Sequence, residues 1–354
     1  MGTATAYPVR TPHWVLTYSG TNITTDVSGM VTELSYCDKA VHYSDEVEVA
    51  LEDRDRRWQG AWFPGRGDIV SLMLGYDDEQ LLPCGSFQVD ELELNGPPDT
   101  FHLRCIAAGI TPSVRTHRSA AYESQTLLQL AATIAARHGM SLVGAPQDVN
   151  VLWSRLTQRN ETDLHFLHRL AQAHNYDFSI RGTHIIFYAR AALEAQPSVM
   201  TITRGSPPVS GSVGSWVPQN NGREAVVKSF EFKTRTQHIY KTATVVYQNP
   251  QQKMLIAAQF EDSSSPTGDD LYLVERCENS QQAQLKAKSA LHDANRLQVT
   301  GTIATEGTTL LVAGNNIALR GFGAFDGTFH IEESKHRLNR SRGYTTEIEV
   351  RRIC

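Results

Sequence analysis

Short segments in which apolar and polar residues alternate dominate both ends of this chain, and they constrain its fold more than any other feature. In EVEVALE (46–52) every second residue is apolar, so Val47, Val49 and Leu51 share one face of a strand. The segment DIVSLMLGY follows PGRGD, a turn-forming cluster that separates two strands. Segments of this kind bury one face of a sheet and expose the other, which predicts antiparallel β-structure.

The apolar pattern slips by one residue within SFQVDELELNG. Phe87 and Val89 are in phase with each other, whereas Leu92 and Leu94 are out of phase by one position. A β-bulge near Asp90–Glu91 would absorb this slip, and bulges recur where sheets close into small barrels. TFHLRCIAAG completes the run of short strands. We therefore predict a small antiparallel β-barrel at the N-terminal end.

Residues 113–202 have a mixed pattern that predicts an α/β domain. Ser124 is placed to cap a helix whose apolar residues recur at helical spacing and which ends at Gly139. Asn160 is placed to cap a second helix. The segment YDFSIRGTHIIFYAR then predicts a hairpin that turns at Arg181–Gly182.

The segment TRGSPPVSGSVGSWVPQNNGR is rich in Gly, Ser, Pro and Asn and is the clearest boundary in the chain. We predict a linker at 203–222, followed by a second β-barrel-like domain at 223–354 that carries one helix. With the N-terminal barrel at 1–112, the predicted fold is mixed β and α+β. Two small antiparallel β-barrel-like domains flank an α/β domain.

Composition excludes several classes of function. The chain has 354 residues, a net charge of −5 and 40% hydrophobic residues, so no overall positive field attracts nucleic acid or anionic membranes. We find neither a signal peptide nor a transmembrane segment, and we expect synthesis in a host cytoplasm and no membrane insertion. The five cysteines form no Cys-x-x-Cys pair, which predicts reduced, mostly buried thiols.

The segment NETDLHFLHRLAQAHNYDF (160–178) contains three histidines and raises the question of a metal site. On a helical wheel His174 lies within the apolar face, whereas His165 and His168 lie on the polar face and point apart. Zinc ligands must converge on one point, and the HExxH arrangement is missing. We therefore predict a structural helix, with no metal site, no cofactor and no catalytic constellation in the chain.

Other polar and aromatic motifs favour structural explanations. The pair Glu52–Asp53 follows a strand end, where we interpret both carboxylates as solvated turn residues. The RGD sequence at 66–68 consists of residues that favour a turn, and we do not interpret it as an adhesion motif. Four aromatic residues in or beside turn-rich stretches are either core plugs or interface anchors. These are Trp58, Trp62, Phe63 and Trp216.

Three segments, in this order, resemble a known family. SGMVTELSYCDKAVHYSDEVEVALEDRDRRW resembles the N-terminal barrel of the late control gene D proteins, the tail hub proteins of contractile phages. RNETDLHFLHRLAQAHNYDFSI is similar to their helix–hairpin segment, and GTFHIEESKHRLNRSRGYTTEIEVRR to their C-terminal segment. The hub part of secretion-system spike proteins is similar as well. The resemblance extends over nearly the whole chain.

This resemblance implies a homotrimeric baseplate hub in a phage tail or a phage-derived contractile particle. Two barrel-like domains per chain, repeated by three subunits, imply a pseudo-sixfold ring around a channel. One face would bind the hexameric tail tube and the other the trimeric central spike, with other baseplate proteins nearby. The genome would pass without specific binding, and an acidic channel wall would keep DNA from adhering. Because the chain stops at Cys354, we expect a hub without an appended spike.

Two other classes of function remain open at this point. Clustered histidines and scattered acids are also compatible with a tail-associated cell-wall hydrolase, which metal-dependent cleavage of peptidoglycan would reveal. Aromatic residues in loops are compatible with a carbohydrate-binding module, because such rings stack on sugars. A screen for glycan binding would distinguish that module from a hub.

Overall fold

The structure is a computed structural model that describes residues 10–40, 45–107, 116–145, 152–204, 227–236, 238–249, 253–262 and 269–353. The described part of the chain is mostly β-structure with a few helices. Residues 205–222 of the predicted linker, including Trp216, lie outside the described residues. Among the helices in these ranges, none has both the length and the apolar character needed to cross a bilayer.

The helices and strands follow one another in two stretches. The first contains β1 (Pro12–Tyr18), β2 (Thr21–Asn22), α1 (Thr24–Val27), β3 (Val31–Lys39), β4 (Glu46–Glu52), β5 (Ile69–Tyr76), β6 (Leu82–Asn95), β7 (Thr100–Ala107), β8 (His117–Gln125), α2 (Leu127–Arg137), β9 (Ser141–Ala145), β10 (Trp153–Thr162), α3 (Asp163–Ala173), β11 (Tyr176–Arg181), β12 (His184–Ala189), α4 (Arg190–Glu194) and β13 (Ser198–Thr203). The second contains β14 (Val227–Thr234), β15 (Tyr240–Asn249), β16 (Met254–Glu261), β17 (Asp269–Val274), α5 (Ser280–Asn295), β18 (Val299–Glu306), β19 (Asn316–Arg320), a 3-10 turn (Gly323–Phe325), β20 (Gly327–Asn339) and β21 (Gly343–Arg352).

Two β modules have the same strand order. In the N-terminal β module (β1 and β3–β7) the order across the sheet is β3-β4-β7-β6-β5-β1. In the C-terminal β module (β13, β14 and β18–β21) the order is β14-β18-β21-β20-β19-β13. Numbering the strands of each module in chain order gives 2-3-6-5-4-1 in both. One difference separates them, since β1 pairs with β5 antiparallel whereas β13 pairs with β19 parallel.

The β-bulges of the two modules also correspond. The ladder between β6 and β7 shifts register at Asp90, as the sequence predicted, and the ladder between β20 and β21 shifts at Glu332. A second pair of shifts lies at Thr32 in β3 and at Lys228 in β14. Because a bulge bends a strand and redirects the side chains beside it, shared bulges give the two modules a similar local curvature.

The strand pairing shows two β modules but does not confirm their predicted β-barrel-like form. In the described residues no ladder closes either module on itself. Instead, β20 pairs with β19 through its first residues and with β3 through its last ones. Both modules thereby join in one sheet of 13 strands, with a hydrophobic core under each half. The hydrogen bonds of the β20–β3 ladder connect the two modules.

Two smaller units pack beside this sheet, each with a core of its own. In the α/β unit, α2 and α3 cover the strands β9, β11 and β12. The predicted hairpin is present, and its turn residues are Gly182 and Thr183, one position later than predicted. In the second unit, α5 packs on the sheet β16-β15-β17. Ala283, Ala287 and Leu291 of α5 are buried in this core.

Both predicted helix caps are wrong by two residues. Thr126 caps α2 and Thr162 caps α3, and each hydroxyl accepts a hydrogen bond from the backbone N–H three residues on. Ser124 and Asn160 instead have positive φ angles at the ends of strands β8 and β10, which run directly into the helices. Gly139 ends α2 with a φ of 67°, as predicted.

Four of the five cysteines lie in the described residues, and all four are free and buried, as predicted. They are Cys37, Cys84, Cys105 and Cys277. Burial raises the pKa of Cys37 and of Cys105 to about 12, so these thiols hold their protons at neutral pH. Cys354 lies outside the described residues.

His336 lies where the two modules meet and is fully buried. Its ring stacks on Tyr36 of β3 with 5.9 Å between the centroids. Its Nδ1 and Nε2 atoms lie 2.8 and 3.1 Å from the hydroxyls of Tyr344 and Ser334. Burial lowers the pKa of His336 from 6.5 to about 4, because a charged imidazole cannot be solvated there.

We expect the protein to lose stability as the pH falls from 6.5 towards 4. An unfolded histidine takes up its proton near pH 6.5, whereas His336 in the folded protein does so only near pH 4. The contribution of His336 to the free energy of unfolding is therefore fully present above pH 6.5 and decreases as the pH falls below it. The difference corresponds to about 3 kcal/mol in the free energy of unfolding. Urea unfolding over this pH range should show a shallower loss for His336→Gln than for the wild type. His165→Gln, on an exposed side chain, should leave the slope unchanged.

Candidate functional site at the junction of the β modules

The ladder between β20 and β3 joins the two β modules. It runs antiparallel from Glu333 opposite Lys39 to Asn339 opposite Glu33, and the last pair is reinforced by a 2.9 Å hydrogen bond from Asn339 Nδ2 to Glu33 Oε2. Almost all of β3 is buried. The modules therefore share backbone hydrogen bonds as well as side-chain contacts, which restricts sliding between them.

Asp38 connects three parts of the molecule through one buried carboxylate. Arg181 of β11 donates from Nη2 to Oδ1 of Asp38 at 2.8 Å. The backbone N–H of Ala313, in the C-terminal β module, donates to Oδ2 at 2.9 Å. Burial raises the pKa of Asp38, and both donors oppose that shift. The carboxylate thus orients the two β modules and the α/β unit relative to one another.

A second carboxyl lies close to this contact. Asp45 accepts a hydrogen bond from the backbone N–H of Lys39 at 3.1 Å. Burial and the nearby charge of Asp38 raise the pKa of Asp45 to about 7. This carboxyl therefore binds a proton more readily than an exposed aspartate does.

The bulge at Glu332 directs its side chain into a buried ion network. Glu332 bonds both Arg351 of β21 and Arg296, which follows α5. Arg351 also lies 2.7 Å from Glu194 of α4. Burial raises the pKa of Glu332, but the charges of Arg351 and Arg296 outweigh it and hold the pKa below its ordinary value. This network joins the C-terminal β module to both smaller units.

Arg190 forms a third buried contact between units. Its guanidinium donates to Asp177 at 3.1 Å and to the side-chain oxygen of Asn175 at 3.0 Å, both within the α/β unit. It also donates to Asp293 of α5. Removing one partner of a buried ion pair costs more than forming the pair gains, so these contacts make the arrangement of the units specific.

The histidine segment has the faces predicted for it. His174 is buried and its ring lies 4.4 Å from that of Trp153, whereas His165 is exposed and bonds Glu161 at 2.9 Å. His168 lies between these extremes. Within the described ranges, no three His, Cys, Asp or Glu side chains converge closely enough to hold a metal ion. The geometry assigns these imidazoles to packing and to surface hydrogen bonds.

The candidate anchors divide between core and surface. Trp58 is buried and stacks on Phe101 at 5.8 Å, and Trp62 packs edge-on against Trp58 at 5.6 Å. Phe63 contacts Phe101 with its edge but remains 59% exposed. The core explanation therefore fits Trp58, and exposure leaves Phe63 as a candidate interface residue.

The interpretation of Asp53 as a solvated turn carboxylate is wrong. Asp53 is buried and accepts hydrogen bonds from the backbone N–H of Trp58 and from Gln59 Nε2, both at 3.2 Å. Its carboxylate closes the turn that begins after β4. The interpretation holds for Glu52, which pairs with the exposed Arg54 at 2.8 Å.

The residues that carry the junction were not singled out from the sequence. Asp38, Arg181 and Glu332 are far apart in the chain, and each is an ordinary polar residue in or beside a strand. A local signal existed for Asp38, which lies among strand residues where a charge interrupts the pattern. Nothing in the sequence indicates its partner, since Arg181 is 143 positions away.

Comparisons with known proteins agree with this fold. No protein-family model matches the chain. Over 197 residues it is 28% identical to a probable baseplate hub protein of Escherichia phage 186, which covers 54% of this chain and 50% of that protein. The chain thus spans about half the length of the curated relative it matches.

Solved structures resemble the chain over most of its length. The 43 kDa tail protein of prophage MuSo2 from Shewanella oneidensis has a TM-score of 0.70 at 12% identity and covers 97% of this chain and 98% of its own. A type VI secretion component of E. coli, described as similar to T4 bacteriophage tail proteins, has a TM-score of 0.54 at 12% identity and covers 92% and 74%. At such identities the likeness concerns the fold alone.

We expect Asp38→Ala to lower the free energy of unfolding by about 2–3 kcal/mol. The substitution leaves the Ala313 N–H and the Arg181 guanidinium without their acceptor, and partial exposure of Arg181 moderates the loss. Glu52→Ala is the matched control, because its ion pairs with Arg54 and Arg340 are on the surface, where such pairs contribute under about 1 kcal/mol. Equal losses in urea unfolding would contradict the role of Asp38.

Proposed function

We propose that this chain, a homologue of the phage baseplate hub proteins, is a structural hub that assembles as a homotrimer. The trimer joins the hexameric tail tube to the trimeric central spike around a channel. It works in the tail baseplate of a phage or a phage-derived contractile particle. Its role is to match two symmetries, and it needs no cofactor or metal.

The shared strand order of the two β modules is the observation that carries this proposal. Each chain has the order 2-3-6-5-4-1 twice, with bulges at corresponding positions. Three chains then present six similar modules, so a sixfold partner meets six nearly equivalent surfaces while the chain itself obeys threefold symmetry. A single module per chain would have no such capacity.

The buried contacts of the junction suit a hub that transmits load. In the proposed ring, any change in the angle between the two modules of one chain would break its sixfold spacing. Asp38 holds that angle through the hydrogen bond from the Ala313 N–H, which connects the two β modules. Glu332 joins the C-terminal β module to Arg296, which follows α5. The α/β unit lies to one side of the sheet edge in this proposal, outside the ring or towards the spike.

The polar face of the 13-stranded sheet is our candidate for the channel wall. Glu349 of β21 lies directly opposite Glu333 of β20, and Glu347 follows on the same face. Partial burial and the neighbouring carboxylates Glu333 and Glu347 raise the pKa of Glu349. Like charges placed opposite each other destabilise a sheet, although Lys39 lies opposite Glu333 on its other side and Lys335 lies opposite Glu347. We take the Glu333–Glu349 pair as the part of this face that would repel DNA phosphates.

The oligomeric state is the first test. A trimer of the 39.3 kDa chain has a mass of about 118 kDa, which native mass spectrometry resolves from a monomer. We expect that mass at high protein concentration or after co-expression with the spike partner. A monomer under both conditions would refute the proposal.

Neutralising the acidic face should separate function from stability. In the double variant Glu333→Gln and Glu349→Gln, relief of repulsion should leave stability equal or slightly higher, by under about 1 kcal/mol. DNA release from particles carrying the variant should nevertheless become slower. The matched control is Glu123→Gln, on exposed β8 in the α/β unit. Unchanged release kinetics would remove this face as the channel wall.

A further inference from the structure

The strand β20 serves two neighbours in succession. Before its bulge at Glu332 it pairs with β19 of its own module, and after the bulge it pairs with β3 of the other module. The half of β20 that follows Glu332 is therefore where the C-terminal β module pairs with β3, an edge strand of the N-terminal β module.

The equivalent strand β6 has the same two halves but lacks the second neighbour. Its first half pairs with β5, and its opposite side pairs with β7 from Phe87 to Asn95. After the bulge at Asp90, the edge from Glu91 to Asn95 has no partner strand among the described residues. Leu94 on this edge is 49% exposed.

Within the part of the chain that the structure describes, the strand β14 lacks the second neighbouring strand that its counterpart β3 has. It corresponds to β3, which is almost entirely buried between β4 and β20. In contrast, among the described strands β14 pairs with β18 alone, and most of its residues are exposed, including Phe230 at 41%. A long, exposed edge strand with apolar residues is a site for pairing with another chain unless it is covered.

We infer that the free half of β6 in one copy binds β14 of the next copy, in the register that β20 and β3 use within each chain. This inference rests on the proposed homotrimer and specifies its interface. Each chain then has one β20–β3 junction inside it and one β6–β14 junction with a neighbour. Because the contact is head-to-tail, three copies give six junctions and close into a ring.

The bulges define the register of this contact. Four residues after the bulge of β20, His336 lies opposite Tyr36, which is four residues after the bulge of β3. The same count in β6 and β14 places Leu94 opposite Phe232. Two apolar side chains would therefore meet at the position where His336 stacks on Tyr36.

The flanking pairs in this register have opposite charges. Glu93 lies opposite Lys233 of the neighbouring copy, and Glu91 lies opposite Arg235. Inside one copy, Lys233 forms an ion pair with the exposed Glu231 at 3.0 Å. Opposite charges across a ladder stabilise pairing, and a shift by one residue would lose both pairs.

A charge exchange tests the contact. Either Glu93→Lys or Lys233→Glu should raise the dissociation constant of the trimer by about tenfold or more, because like charges then meet at all three interfaces. The double variant should restore it. Glu123→Lys, on exposed β8, is the matched control and should keep the wild-type constant. Mass photometry over a dilution series measures all four.

Disulfide cross-linking tests the register. Leu94→Cys with Phe232→Cys in one chain should give a covalent trimer under mild oxidation, since directly opposed residues have the spacing that a disulfide needs. Leu94→Cys with Phe230→Cys, two residues out of register, should link poorly. The unmodified chain shows the background from its own cysteines.

The outcomes separate this inference from the proposed function. A trimer that is insensitive to both charge reversals, or that cross-links better through position 230, overturns the β6–β14 contact and leaves the hub intact. Loss of the trimer in each single reversal without recovery in the double variant also overturns it. A chain that stays monomeric with its spike partner refutes the hub itself.

Discussion

The hydrogen-bonded ladder between β20 and β3 turns two small sheets into one, and the rest of the structure depends on it. Because β20 changes partner at the Glu332 bulge, its second half is available to the N-terminal β module. The same bulge directs Glu332 towards Arg351 and Arg296. One irregularity in one strand therefore supplies both the pairing edge and the ion network that holds the smaller units beside it.

Because the chain contains two similar β modules, the β20–β3 ladder is a template for a contact between chains. The two modules agree in strand order and in the places of two bulges, although β1 and β13 run in opposite senses against their partners. The edge-to-edge pairing that joins two modules inside a chain is then also available between chains. The edges of β6 and β14 would form this pairing, and neither has a partner strand for it among the described residues of one chain.

Local patterns in the sequence were enough to predict many single elements. The alternation in EVEVALE predicted β4, the phase slip after Val89 predicted the bulge at Asp90, and the helical wheel predicted the buried His174. The helix caps were less predictable, because strands β8 and β10 continue to the helix starts and shift each cap to a later threonine. Asp53 was misjudged because its partners lie in a turn whose shape the sequence does not define.

The sequence by itself predicted single elements such as β4 and the histidine helix, which of their faces are apolar, and a mostly β chain with a few helices. These properties follow from periodicities of two and 3.6 residues, which a reader can count along the chain. The tertiary structure alone decided that β20 and β3 join the two β-rich blocks edge to edge. It also decided that Asp38 meets Arg181 and Ala313, 143 and 275 positions away. Pairing between distant strands depends on which edges remain free after folding, and no local pattern records that.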